Sequence, residues 1–185
     1  MIETELGTLR RSHYSDEINS SMDGTQVTVM GWVLTIRGHG NISFATLRDK
    51  NGDLSIVAKK GDCPDDIREK ISSLKAHSSI AIVGNVKASE KAPSGYEIIP
   101  TELRIFSDVE KIPPFEATVK TVKNIDTRLE VRPIDLRRDV LQHIFKTRSL
   151  VLKSIREYFG NQNFVEINTP KMIATATEGG AALFP

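Results

Sequence analysis

The hydrophobic pattern of this chain changes period several times, and each change marks an element. Residues 26–37 (QVTVMGWVLTIR) alternate around Val27, Val29, Gly31 and Val33, the period of a half-buried strand. Gly31 inside that run points to a bulge or a close backbone approach. Residues 38–41 (GHGN) read as a turn, residues 42–49 (ISFATLRD) as a second strand, and Asn51-Gly52 as a hairpin signal before a third strand over residues 53–58. Residues 65–74 (DDIREKISSL) then space Ile67, Ile71 and Leu74 by four and three behind two aspartates, which predicts a short amphipathic helix. Two further strands follow, residues 79–86 and 96–106, separated by the turn-rich stretch 90–95. Three strands, one helix and two strands is the order of a five-stranded OB barrel, whose helix lies between the third and fourth strands.

The rest of the chain has a different texture. The first ~20 residues are polar and aperiodic, a short helical or extended lead-in. Residues 107–138 sustain no apolar period and contain adjacent Pro113 and Pro114, so they read as a linker or hinge. Its charged stretch, residues 126–138, has Arg128, Arg132, Arg137 and Arg138, fitting either a solvated short helix or a phosphate contact. Residues 139–159 form the strongest helical pattern, with Val140, Ile144, Val151, Ile155 and Tyr158 or Phe159 on one stripe, widened by Leu141, Phe145 and Leu152. Gly160 is the expected stop. Residues 163–172 (NFVEINTPKM) read as a strand that Pro170 suits to an edge or terminal position, and residues 174–185 as a small-residue loop. The expected organisation is therefore an OB domain over 1–106, a hinge over 107–138 and a further helix, strand and loop over 139–185.

Composition and charge narrow the function. With 25 lysines and arginines against 24 aspartates and glutamates, the net charge is +1, so any nucleic-acid footprint must be local. No apolar run approaches the ~18 residues of a membrane span, and the N-terminus lacks a signal-peptide pattern; the expected location is cytoplasmic. The single cysteine, Cys63, excludes an internal disulfide and reads as an incidental thiol. The four histidines (His13, His39, His77, His143) lie in separate segments without metal-ligand spacing. There is no Walker loop, no GxGxxG and no nucleophile elbow.

The strands of the barrel offer more. OB domains bind single-stranded nucleic acid by stacking bases on aromatics and meeting phosphates with basic groups. Phe44 lies mid-strand with Ser43 and Thr46 nearby, and Arg37 stands at the mouth of the first hairpin. Either Phe44 is a stacking platform with Arg37 on a phosphate or base edge, or it is core. Lys59, Lys60, Lys87 and Lys91 are further candidate phosphate contacts.

Three ordered motifs carry a family resemblance. GWVLTIRGHGNISFATLRDKNG (31–52) resembles the OB anticodon-binding domain of class IIb aminoacyl-tRNA synthetases, those for aspartate, asparagine and lysine. DTRLEVRPIDLRR (126–138) resembles their hinge, and YFGNQNFVEINTPKMIATATEGGAALFP (158–185) resembles class II motif 1 and the loop that closes on the amino acid, which implies that 139–185 is the start of an α+β catalytic domain. The TATEGG form (175–180) is most similar to archaeal and eukaryotic aspartyl-tRNA synthetases. The resemblance implies a ligase for aspartate and tRNA, working as a homodimer with ATP and Mg2+. It implies that Phe44 stacks on an anticodon base, that Arg37 supports the anticodon and that Glu97 contacts another base. It further implies that Glu178 meets the aspartate ammonium group, with Pro170 at the dimer interface. Ser55 holds the position where the family commonly has the glutamine that reads the central anticodon base, replacing a paired donor and acceptor with one hydroxyl. Leu34 replaces a bulky or histidine residue common in archaeal relatives, which bears on whether tRNA for asparagine is also charged. Motifs 2 and 3, which hold ATP in this family, do not occur in the 185 residues, so the chain alone is expected to be inactive. A freestanding, non-catalytic tRNA-binding module is the alternative.

Overall fold

The computed structural model describes residues 5–111, 113–115, 118 and 124–170. It divides into two compact units, Met1–Asp135 and Leu136–Pro185. In the first, the strands are β1 (Gln26–His39), β2 (Ile42–Arg48), β3 (Asp53–Lys59), β4 (Ser79–Ala88) and β5 (Tyr96–Ser107), with helix α1 (Asp65–Ser73) between β3 and β4. This is the expected order. Hydrogen bonding follows the cyclic sequence β1-β2-β3-β5-β4 and returns from β4 to β1, closing a barrel. Four of the five seams are antiparallel ladders; the parallel β3–β5 seam rests on the single register pair Ile56↔Ile98.

The inward residues of all five strands form one core containing Val27, Val29, Val33, Leu47, Leu54, Ile56, Ile80, Ile82 and Ile98. Fully burying each such side chain stabilises the fold by about 1.5–3 kcal/mol. Ile67 and Ile71, four residues apart on α1, join the same core, so the helix lies across one opening of the barrel. Ser43, although beside Phe44 in sequence, points the opposite way and shares a hydrogen bond with Ser72 of α1. It is therefore part of the helix packing and not of the outer face on which Phe44 lies.

The lead-in contains two 3-10 turns, Ser15–Glu17 and Ser20–Met22. It is held to the barrel by Asp49, whose carboxylate accepts from Ser15 N and Ser15 Oγ at 2.7 Å each and from Asn51 N and Gly52 N at 2.8 and 3.0 Å. Burial alone would raise the Asp49 pKa; the hydrogen bonds from Ser15, Asn51 and Gly52 outweigh it and hold the carboxyl below its ordinary value. Tyr96 donates its phenol to Ser15 O at 3.2 Å, and burial, then the charge of Asp49, pushes that phenol upward in pKa.

Residues 107–138 are not uniformly irregular. Helices α2 (Ile125–Glu130) and α3 (Arg132–Asp135) form there, with Asn124 capping α2. Arg128 and Arg132 donate to Asp135 at 3.1 and 2.6 Å, and the Asp135 side chain is fully buried. These two arginines are engaged inside the segment, in agreement with a folded helix and not with a free phosphate contact.

In the second unit, α4 (Asp139–Asn161) runs two residues beyond the predicted end and passes through Gly160. Its stop is Asn163, at φ 64°. Asn163 N donates to Gly160 O at 3.0 Å and Phe164 N to Phe159 O at 3.1 Å, a Schellman arrangement with the Phe159 and Phe164 rings edge to face at 5.4 Å. The predicted strand over residues 163–172 is corrected for its described part: residues 164–170 have no regular structure. Their apolar residues Phe164, Val165 and Ile167 are exposed, and a strand exists only where a second strand completes its ladder. Of α4, only Leu141 is buried. Among the described residues, no helix is long and apolar enough to cross a membrane.

Candidate nucleic-acid interface

Alternation along β1 would send Arg37 inward, on the same face as Val27, Val29 and Val33. A register shift prevents this. Val33 pairs with Leu47 and Thr35 with Thr46, which leaves Leu34 as an extra residue in β1. One inserted residue inverts the phase of everything after it. Val33 still points into the core, whereas Thr35 and Arg37 point outward beside Thr46 and Phe44. The bulge expected at Gly31 therefore lies at Leu34. Gly31 is instead a close approach, since a Cβ there would overlap the Arg48 carbonyl.

The outer face consists of rungs across three strands. Arg37, Phe44 and Val57 form one rung, and Thr35, Thr46 and Ser55 the next. Arg37, Phe44, Thr35, Thr46 and Ser55 line a cleft of about 520 Å³ together with His39. Phe44 is 41% exposed, which removes the core alternative for it. Arg37 is exposed and makes no ion pair or hydrogen bond within the described residues. An exposed ring beside an unpaired guanidinium can hold a base by its face and a phosphate by its charge.

The structure thus brings Arg37, Phe44 and Ser55 into one cleft. Glu97 lies outside its lining, on β5, where it precedes Ile98 as Ser55 precedes Ile56; the two polar residues flank the same bridge on the outer face. Lys59, Lys60, Lys87 and Lys91 are all exposed, and Lys87 approaches Asp62 at 3.8 Å. Pro170 is exposed in the second unit, and Glu178 lies outside the described residues. Sequence reasoning missed Thr35, whose outward placement depends on the bulge, and His39, which lies at the end of β1.

Residues 27–106 match the family described as OB-fold nucleic acid binding domain, and residues 124–185 that of class II tRNA synthetases (D, K and N). The chain is 47% identical over 176 residues to the aspartate–tRNA(Asp/Asn) ligase of Methanocaldococcus jannaschii, covering 95% of this chain and 40% of that protein. The ligase of the same description from Methanothermobacter thermautotrophicus is 47% identical over 97% of this chain and 41% of its own length. The chain thus spans about two fifths of the relatives it matches. Among solved structures, asparaginyl-tRNA synthetase from Pyrococcus horikoshii complexed with asparaginyl-adenylate superposes at a TM-score of 0.84, with 28% identity over 95% of this chain and 40% of that one. An OBody bound to hen egg-white lysozyme superposes at 0.51, with 26% identity over 54% of this chain and 96% of that one.

Proposed function

From homology with the aspartate–tRNA(Asp/Asn) ligases over the amino-terminal two fifths of their length, we propose that this chain supplies the anticodon-reading part of such a ligase. The observation that carries the reading is the Arg37–Phe44 rung beside the cleft. A base stacks on Phe44, Arg37 meets the adjoining phosphate, and Ser55 and Glu97 face neighbouring bases. Stacking contributes about 1–3 kcal/mol per base. A freestanding module is the less favoured reading, because residues 124–185 match the class II synthetase family, which a simple binding barrel has no reason to contain.

The activity served is ATP-dependent attachment of aspartate to tRNA in a homodimer, with Pro170 at the dimer interface and Glu178 on the aspartate ammonium group. Among the described residues, no three His, Cys, Asp or Glu side chains are grouped to hold a metal ion. No step of the reaction is assigned to them.

The test is the affinity of the full chain for an aspartate tRNA and for the same tRNA with its anticodon exchanged, at fixed salt. Weaker binding of the exchanged tRNA is expected. Equal affinity for both, set by salt alone, would show that the face binds phosphates without reading bases.

A further inference from the structure

The outer face of β1 and β2 continues past the cleft. One rung beyond Thr35, Thr46 and Ser55, Trp32 pairs with Arg48, and Arg48 with Asp53. Val33 is buried in the core, so its neighbour Trp32 points outward, on the same side as Phe44. Of the large hydrophobic side chains on the described strands, only Trp32, at 39%, and Phe44, at 41%, are exposed. Both are aromatic, and both lie on this one face.

Arg48 and Phe44 are four residues apart on β2, which places their rungs about 13 Å apart along the strand. Stacked neighbours in a nucleic-acid strand rise by about 3.4 Å, so a strand lying over both rings puts non-adjacent nucleotides on them. The nucleotides between pass over the hydroxyls of Thr46 and Ser55. Arg48 donates to both carboxylate oxygens of Asp53, from Nε at 2.6 Å and from Nη2 at 2.8 Å. Its charge is thus committed within the rung, and Trp32 offers an aromatic face beside a neutral pair. Such a face takes the π-surface of any base and adds little electrostatic attraction.

We propose that Trp32 is a second stacking platform for single-stranded RNA, taking a nucleotide beyond those held at Phe44 and Arg37, without selectivity for the base. The proposal rests on the anticodon-binding reading above and extends the RNA footprint along β1 and β2 towards the β2–β3 turn. RNA is favoured over a protein as the occupant because the patch is a single ring, continuous with the cleft, and residues 27–106 match a nucleic acid binding family.

Trp32 is the single tryptophan of the chain, so its fluorescence reports on this position alone. The full chain is titrated with the anticodon stem-loop of an aspartate tRNA, and binding is followed independently by the anisotropy of a dye on the RNA. Saturation is expected to quench the fluorescence and to shield the indole from acrylamide. Trp32→Ala should weaken binding about tenfold and leave the slope of log affinity against log salt unchanged; Trp32→Phe should keep most of the affinity. Phe44→Ala should lower the affinity but give the same quench at saturation. A thermal midpoint on each variant verifies folding, and the wild-type titration decides if Trp32→Ala does not fold. A stem-loop that binds without quenching or shielding Trp32, or a folded Trp32→Ala variant with wild-type affinity, overturns the second platform and leaves the anticodon reading intact. Absence of binding by the wild-type chain overturns both.

Discussion

Arg37 on β1 stands directly opposite Phe44 on β2, and the two share the outer face only because Leu34 is inserted between Val33 and Thr35. Without that bulge the guanidinium would point into a core of valines and isoleucines, where an unpaired charge is expensive. The bulge thus converts a strand that begins as core into one that ends as a binding edge.

Phe44→Ala should leave the barrel folded and weaken binding of an aspartate tRNA anticodon stem-loop by one to two decades, on the scale of ~1–3 kcal/mol per stacked base. A buried phenylalanine would instead cost about 3–5 kcal/mol of stability, but the ring is largely exposed. Thermal midpoint and affinity on the same variant separate the two. A collapsed midpoint would assign Phe44 to packing.

Arg37→Ala should act differently. A phosphate contact contributes through counterion release, so this variant is expected to lower the slope of log affinity against log salt by about 0.7, the single-strand value per phosphate. Phe44→Ala should leave the slope unchanged. An unaltered slope in Arg37→Ala would place the guanidinium on a base edge.

Asp49→Asn tests the latch between the lead-in and the barrel. The carboxylate is held below its ordinary pKa by the bonds from Ser15, Asn51 and Gly52 against the effect of burial. Its stabilising contribution is then fully present above the unfolded value of about 3.9 and lost as pH falls through the lower folded value. At pH 7 the variant should unfold at lower urea than wild type, and the gap should close below pH 4. A gap independent of pH would mean that shape, and not charge, holds Ser15 to Asp49.

The barrel was legible in the sequence because each strand buries one face, so alternation at Val27, Val29, Leu47, Leu54 and Ile56 reports directly on the core. What a phase shift does was not legible: QVTVMGWVLTIR looks like one uninterrupted strand, and nothing local marks Leu34 as the extra residue. Gly31 drew attention instead, correctly as a close approach and wrongly as the bulge. Gly160 and Asn163 show a similar limit. Glycine is the commoner helix stop, but Asn163 is the residue followed by an aromatic that can pack on Phe159. Residues 163–170 read as a strand, yet ladder hydrogen bonds are supplied by a partner that local sequence does not contain. Among the residues that line the cleft, Arg37 and Phe44 stand out by type and spacing and Ser55 only through the family resemblance, whereas Thr35 required the register.

Gly31→Ala should be among the most damaging single changes in the barrel. The added methyl would overlap the Arg48 carbonyl, which is backbone and cannot rotate away. Overpacking of this kind costs about 1–3 kcal/mol or more, and the strain falls on the β1–β2 seam that sets the Arg37–Phe44 rung. A lowered urea midpoint with weakened stem-loop binding is expected. An unchanged midpoint would mean that the strands part at Gly31 without consequence.

Asp135→Ala distinguishes a structural from a nucleic-acid role for the arginines of the hinge. Asp135 is buried and accepts from both Arg128 and Arg132. Removing one partner of such a group leaves uncompensated charge and costs about 3–5 kcal/mol, here confined to α2 and α3. Amide hydrogens over residues 125–135 should lose protection in exchange measurements while those of the barrel keep theirs. If the arginines serve only to hold this turn, stem-loop affinity should stay within about twofold of wild type. If they are phosphate ligands restrained by Asp135, freeing two guanidinium groups should tighten binding and steepen its salt dependence. Tighter, more salt-sensitive binding by Asp135→Ala would therefore reverse the structural assignment of Arg128 and Arg132.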